Sequence, residues 1–388
     1  MNELIQIIKD RIRMSGPITF AKFMQLALYH QGYGYYSSDR TRIGKEGDYY
    51  TSPCVHPAFG EIIGRFIYKV YKTLDIQEFT IVEMGAGKGY LALDVLDSIK
   101  RDQPEFYSNL NYLMVEISPT LVEEEKSILK DHIRKIKFLN SISEIEDEEV
   151  AGVFISNELL DSFPFHRLKY IKDNFQEIYV GLVNDQFTEI LDSLSIIELK
   201  NYIDRYDIEF REGQEVEINL NAGKWLSDVS RVITRGFVLT IDYGFLAPEL
   251  FNPTRMTGTS KCLYKHSAND DPLTHIGEQD ITAHVDFSNL IRVGESVGLN
   301  TFKYITQGQF LIDWGILDIV ERYSSKDKSS KTSEQKHILA IKNLFLPELM
   351  GDKFKVLIQE KNLGDKLKPF YPESPFKMSF EMPGDRYI

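Results

Sequence analysis

Residues 80–96, TIVEMGAGKGYLALDVL, decide the fold. An apolar strand ends in Glu83, three glycines alternate as Gly85, Gly87 and Gly89, and apolar residues then recur at helical spacing. Glycines permit a tight turn and let a ligand lie directly against the main chain. A helix beginning near Gly89 offers free N–H groups and the positive end of its dipole to an anion. The spacing is G-x-G-x-G, whereas the dinucleotide fingerprint is G-x-G-x-x-G. In a dinucleotide site the anion is pyrophosphate; in an S-adenosylmethionine site it is the methionine carboxylate.

Outward from this stretch, short apolar strands alternate with helical segments. NYLMVEI (111–117), IKFL (136–139), GVFIS (152–156), FVLTIDY (237–243), TFKYIT (301–306) and FKVLIQ (354–359) join FTIVEM (79–84). Such runs predict an α/β, Rossmann-like sheet, mostly parallel and covered on both faces. Its core occupies residues 76–163 and 236–388. Residues 1–75 read as an N-terminal helical cap: Leu4, Ile5, Ile8 and Ile12 share one helix face, Pro17 opens a second helix, and Gly32 and Gly34 end it in HQGYGYY. Residues 164–235 read as an inserted α+β subdomain on the substrate side, with strands RLKYI, EIYVGLV and EVEINL around a helical stretch. The polar run SSKDKSSKTSEQK (324–336) reads as a solvated loop.

Composition narrows the function. The 388 residues carry 45 basic and 58 acidic side chains, a net charge of −13. That balance argues against a nucleic-acid binder, which needs clustered Lys and Arg. No apolar run approaches the ~20 residues that span a bilayer. Two cysteines, Cys54 and Cys262, cannot build a disulfide framework and fit a reducing compartment. The first residues, with Glu3 and Asp10 among their bases, match neither a secretory signal nor an acid-poor transit peptide. The expected location is the cytoplasm.

Two further segments carry chemistry. Glu116 ends the second strand, where a carboxylate can accept both ribose hydroxyl protons. It lies further past the glycines than the usual ~20 residues, an excess that the polar stretch 101–111 can absorb as a loop. The fourth strand runs into SNELLDSFP, which sets Asn157, Glu158 and Asp161 at the carboxyl edge of the sheet, where ligands of open α/β sheets bind. On a first helical turn Glu158 and Asp161 would share a face, although an N-cap by Asn157 with acids in the first turn explains the same residues. Tyr264, His266, His275 and His284, with Glu278 or Asp280, show no compact metal-ligand spacing, so no metal is expected.

Together these segments resemble the MidA-like family of class I S-adenosylmethionine-dependent methyltransferases. Beyond EMGAGKG, the resemblance rests on GDYYTSP (47–53), FGEIIG (59–64), SNELLDSFPFHR (156–167), IDYG (241–244), GTSKCLYKH (258–266) and DPLTHIGEQDITAHVDF (271–287). The family usually has Glu where Cys54 stands and a Ser-like residue at His56. The resemblance implies S-adenosylmethionine held by Glu83, Gly85, Ala86, Gly87, Gly89, Glu116, Ile117 and Asn157. It also implies closure of the pocket by Asp48, Thr51 and Ser52 and by the segment from Glu278 to His284. Mitochondrial members resemble protein arginine methyltransferases acting in respiratory complex I assembly, which implies a protein substrate such as a respiratory complex subunit; a homodimer is one option for the assembly. If the acceptor is an arginine, carboxylates can hold its five-donor guanidinium. Glu158 and Asp161, aided by Asn157 and Tyr243, are the catalytic candidates. Two other readings stay open: a noncatalytic cofactor-binding assembly module and a nicotinamide-dependent oxidoreductase.

Overall fold

The computed structural model describes residues 3–37, 52–265, 267–324, 331–364 and 370–372. Seven strands build its central sheet: β1 Phe79–Met84, β2 Leu110–Val115, β3 Ile136–Leu139, β4 Val150–Asn157, β5 Ile233–Phe245, β6 Asn300–Thr306 and β7 Phe354–Lys361. All seven coincide with strands expected from the sequence, to within a few residues at their ends. They lie in the order β6-β7-β5-β4-β1-β2-β3, and Val285–Asp286 adds a short parallel partner at the end of β5. β1 pairs in parallel with both β2 and β4, β2 with β3 and β4 with β5, while β7 runs antiparallel to β5 and β6. The chain thus leaves β1 toward β2 and later returns to its other side as β4. The carboxyl ends of β1 and β4 flank that reversal, the place where open α/β sheets bind ligands.

Helices cover both faces. On one, Ala58–Leu74 buries Phe59, Ile62, Ile63, Phe66, Ile67 and Val70 beside Tyr90–Asp102. Two glycines of FGEIIG explain how closely these helices approach: a Cβ on Gly60 would lie 2.4 Å from Asp94 Cβ, and one on Gly64 2.4 Å from Ser98 Oγ. Between them Glu61 receives Arg65 at 3.3 Å, Arg101 at 3.2 Å and Arg322 at 2.5 Å, tying three helices at one nearly buried carboxylate. Leu220–Val232 and Phe287–Ser296 cover the other face through Trp225, Leu226, Val229, Phe287, Leu290 and Ile291. The helix 58–74 therefore packs as part of the sheet's core, as does 220–232, although the sequence reading set both outside it.

A second, antiparallel sheet joins His166–Ile171, Asn174–Val183, Gln186–Asp192 and Glu215–Ile218 with Ile18–Thr19 from the N-terminal segment. Leu4, Ile8, Phe20, Phe23 and Met24 pack with Phe165, Val180 and Ile281, so the first helices and the insert share a core. Four local expectations change. Pro17 precedes a strand residue, and the second helix begins at Phe20 with Thr19 as its N-cap. Gln186–Asp192 is a strand. Within 101–111, Pro104–Asn109 is a helix led by its proline rather than a loop. Residues 331–336 begin the helix Lys331–Phe345.

Candidate active site

The glycine turn follows β1 directly. Gly85, Gly87 and Gly89 have φ of 72°, 59° and 79°, the left-handed region that side chains disfavour. At Gly85 a Cβ would in addition meet Leu159 Cδ1 at 2.7 Å. Gly89 caps the helix Tyr90–Asp102 with no side-chain hydrogen bond, which leaves its first N–H groups available to a ligand.

Carboxyls surround this turn. Glu116 follows β2, its N–H donating to Leu139 O at 2.9 Å, and its Oε1 accepts the Ser118 N–H at 2.7 Å. Burial pushes it up to about 7. Glu83 accepts the Tyr112 hydroxyl, and burial raises it also to about 7. Behind them Glu125, on the helix Pro119–Ile128, is fully buried with no partner for either oxygen among the described residues. Burial first, then the charges of Glu116 and Glu83, push it to about 9. Ile117, 52 % exposed, offers a flat apolar surface beside Glu116.

SNELLDSFP forms no helical turn. Glu158 sits at φ 51° as an irregular turn leaves β4, so the sequence-based picture of two acids on one helix face does not hold. The Glu158 N–H donates to Ile241 O at 2.9 Å, and its Oε1 accepts the Ser52 N–H and the Asn157 Nδ2, both at 3.1 Å. Burial pushes Glu158 up to about 8, with Asp161 adding to the rise. Asp161 is buried, accepts the Tyr243 hydroxyl, and lies near 6 through burial.

Part of this set opens onto one cavity of about 1170 Å³, its solvent mouth included. Of the residues singled out in the sequence, Glu83, Gly85, Ala86, Gly87, Glu116, Ile117, Asn157 and Glu158 line it. Asp161 and Tyr243 stand behind the wall, absent from the lining. Gly89 stands at the helix N-cap, and Ser52 is joined to the cavity wall by its bond to Glu158. Asp48 and Thr51 lie outside the described residues. Sequence reasoning missed Tyr29 and Tyr36, which stack with ring centres 5.4 Å apart and wall the cavity from the N-terminal segment. Tyr29 donates to Ser162 O at 3.0 Å, and Tyr36 to Asp280 Oδ1 at 2.7 Å, so the segment 278–284 reaches the site through Tyr36. The tyrosine-rich run HQGYGYY was the available signal for Tyr36.

The cavity suits a nucleoside carrying an amino-acid tail. Its main-chain turn disfavours a Cβ at Gly85, the helix start has no side-chain cap, Glu116 stands at the second strand's end, and the buried Oδ1 of Asn157 has no partner among the described residues. With the strand order above, this cradle defines a class I S-adenosylmethionine-dependent methyltransferase. Comparison with known proteins agrees. The chain belongs to a family of S-adenosyl-L-methionine-dependent methyltransferases of MidA-like type, whose model matches residues 62–305. Among curated relatives, the mitochondrial protein arginine methyltransferase NDUFAF7 homolog of Caenorhabditis elegans is 29% identical, the match covering 91% of this chain and 85% of the relative. The mitochondrial protein arginine methyltransferase NDUFAF7 of Homo sapiens is 26% identical over 90% of this chain and 82% of its own. A Burkholderia thailandensis crystal structure with S-adenosyl-homocysteine bound superposes with a TM-score of 0.85 at 26% identity, covering 93% of this chain and 92% of that one. The relatives are named as mitochondrial proteins, which overturns the cytoplasmic expectation. Family membership also decides against the oxidoreductase and noncatalytic readings.

Proposed function

We propose that this methyltransferase acts on an arginine side chain of a protein. The observation that carries the reading is the cavity's acidic lining: Glu83, Glu116, Glu124 and Glu158, carboxyls that an arriving cation would ionise, with Lys88 the one Lys or Arg among the described lining residues. Such a wall favours a cationic acceptor, and a guanidinium presents a planar fork to a carboxylate. The names of the curated relatives support the same acceptor.

S-adenosylmethionine supplies an activated methyl group on sulfur and a thioether leaving group. Gly85–Gly89 and the helix start would hold its amino-acid tail, Glu116 its ribose hydroxyls and Ile117 its base, with Ala86, Glu83 and Asn157 completing the cradle. Glu158 holds the guanidinium and takes the proton that nitrogen loses. Burial keeps Glu158 protonated in the empty site near neutral pH, and an arriving cation shifts it to the carboxylate. Asp161 and Tyr243 act from behind, fixing the turn that bears Glu158. Residues 3–37 and the insert supply the acceptor-side cap, with Tyr29 and Tyr36 shutting out water. The test is transfer of labelled methyl from S-adenosylmethionine to arginine-containing and lysine-containing protein substrates. Label on arginine supports the reading, and label confined to lysine refutes it.

A further inference from the structure

Glu158 is held by a residue that never touches the cavity. Asp242, within β5, is fully buried and absent from the cavity lining. Its Oδ2 accepts the N–H groups of Leu160 at 3.0 Å and Asp161 at 3.4 Å, and its Oδ1 accepts that of Tyr243 at 2.9 Å. One side chain thereby binds the far end of the turn that Glu158 begins. The near end is fixed to the same strand by the Glu158 N–H on Ile241 O at 2.9 Å. Two further ties reach the turn: the Tyr243 hydroxyl on Asp161 Oδ2, and the Ala283 N–H on Asp161 O at 3.0 Å.

The turn needs such fastening because Glu158 has φ 51°. A left-handed, non-glycine residue persists only where its surroundings over-determine it, and such strain gathers at functional sites. Relaxation to an extended or helical φ would swing the Glu158 side chain away from Ser52 and Asn157, the two groups that hold its carboxyl at the cavity. The two oxygens of Asp242 gather three N–H groups in a water-free place, where each bond is worth more than in solvent. Burial first, then the neighbouring Asp161 and Glu158, pushes its carboxyl well above the usual range, while the Leu160 and Tyr243 N–H groups pull the other way.

We propose that Asp242 is the positioning residue of this site, holding the 158–161 turn strained so that the Glu158 carboxyl faces the methyl acceptor. The inference rests on the proposed role of Glu158 with a cationic acceptor. It assigns the aspartate of IDYG a duty separate from cofactor binding, since Glu116 and the glycine turn belong to other strands.

The test is a double-mutant cycle on the full chain with Asp242→Asn and Glu158→Gln, reading kcat, acceptor KM and S-adenosylmethionine Kd. The amide keeps the size of Asp242 but turns a donor toward main-chain N–H groups. Asp242→Asn alone is expected to lower kcat by about tenfold or more, with cofactor Kd changed by less than about threefold. In the Glu158→Gln background the same change should lower kcat by less than about twofold. Additive losses, or normal turnover of Asp242→Asn, overturn the inference. Normal turnover of Glu158→Gln overturns the role of Glu158 itself, and the inference with it, so the two failures are told apart. If Asp242→Asn does not fold, Tyr243→Phe loses one hydroxyl bond to the same turn and enters the same cycle. The same non-additivity at smaller size is expected, and additive losses again overturn the proposal.

Discussion

Ionisation of Glu125 should make the stability of this fold depend on pH. Its side chain is fully buried, neither oxygen has a partner among the described residues, and its carboxyl is pushed up to about 9. A carboxyl raised in the folded state stabilises the fold below its unfolded value, and that contribution is lost as pH rises toward the folded value. Each pH unit in that window removes up to about 1.4 kcal/mol, so the ceiling between pH 5 and pH 8 is about 4 kcal/mol. Relaxation and water entry reduce such penalties, and about 2 kcal/mol is the working figure. Glu125→Gln cannot ionise, so its own burial cost stays constant with pH. Without ligand, the Glu125→Gln variant should therefore lose about 2 kcal/mol less stability than wild type between pH 5 and pH 8, read from urea-denaturation free energies measured across that range. Parallel slopes for the two proteins would refute the reasoning, because Glu125 would then be hydrated or paired in the folded state.

Three further outcomes are expected. Gly85→Ala combines a φ of 72° with a Cβ at 2.7 Å from Leu159, and should cost about 1–3 kcal/mol of stability and weaken cofactor binding; unchanged thermal melting and affinity would contradict it. Glu116→Ala should lower S-adenosylmethionine affinity by ~1.5–3 kcal/mol, roughly 10- to 150-fold, as measured by calorimetry. Because burial raises Glu116 to about 7 and ribose hydroxyls favour its carboxylate, cofactor affinity should tighten as pH rises from 6 to 8, and Glu116→Gln should flatten that dependence.

The parts of the fold written locally were legible in the sequence. β1, its glycine turn and the following helix announce themselves because a buried strand, a left-handed turn and an amphipathic helix each need particular residue types. Glu116 was legible for the same reason, standing where a strand ends. What depends on tertiary contact was not legible. The residues Asn157–Asp161 carry helix-compatible polar side chains, yet Asp242 and Ile241 capture their N–H groups and hold Glu158 left-handed. Gln186–Asp192 buries none of its residues fully, exposes Gln186, Glu189, Leu191 and Asp192, and pairs with Asn174–Val183 alone, so its strand signal is diluted by polar residues. Lysines and serines hid the start of the helix Lys331–Phe345, whose apolar anchors Ile341, Leu344 and Phe345 come only at its end. Tyr29 and Tyr36 reach the cavity because the N-terminal segment shares a core with the insert, a juxtaposition no local pattern records.

Arginine methylation at this cavity is read out by mass spectrometry of the source proteome with and without this protein. A methyl mark on an arginine should vanish when the protein is absent, return with the wild-type chain, and stay absent with Glu158→Gln. No lost arginine mark, or its full return with Glu158→Gln, would contradict the account.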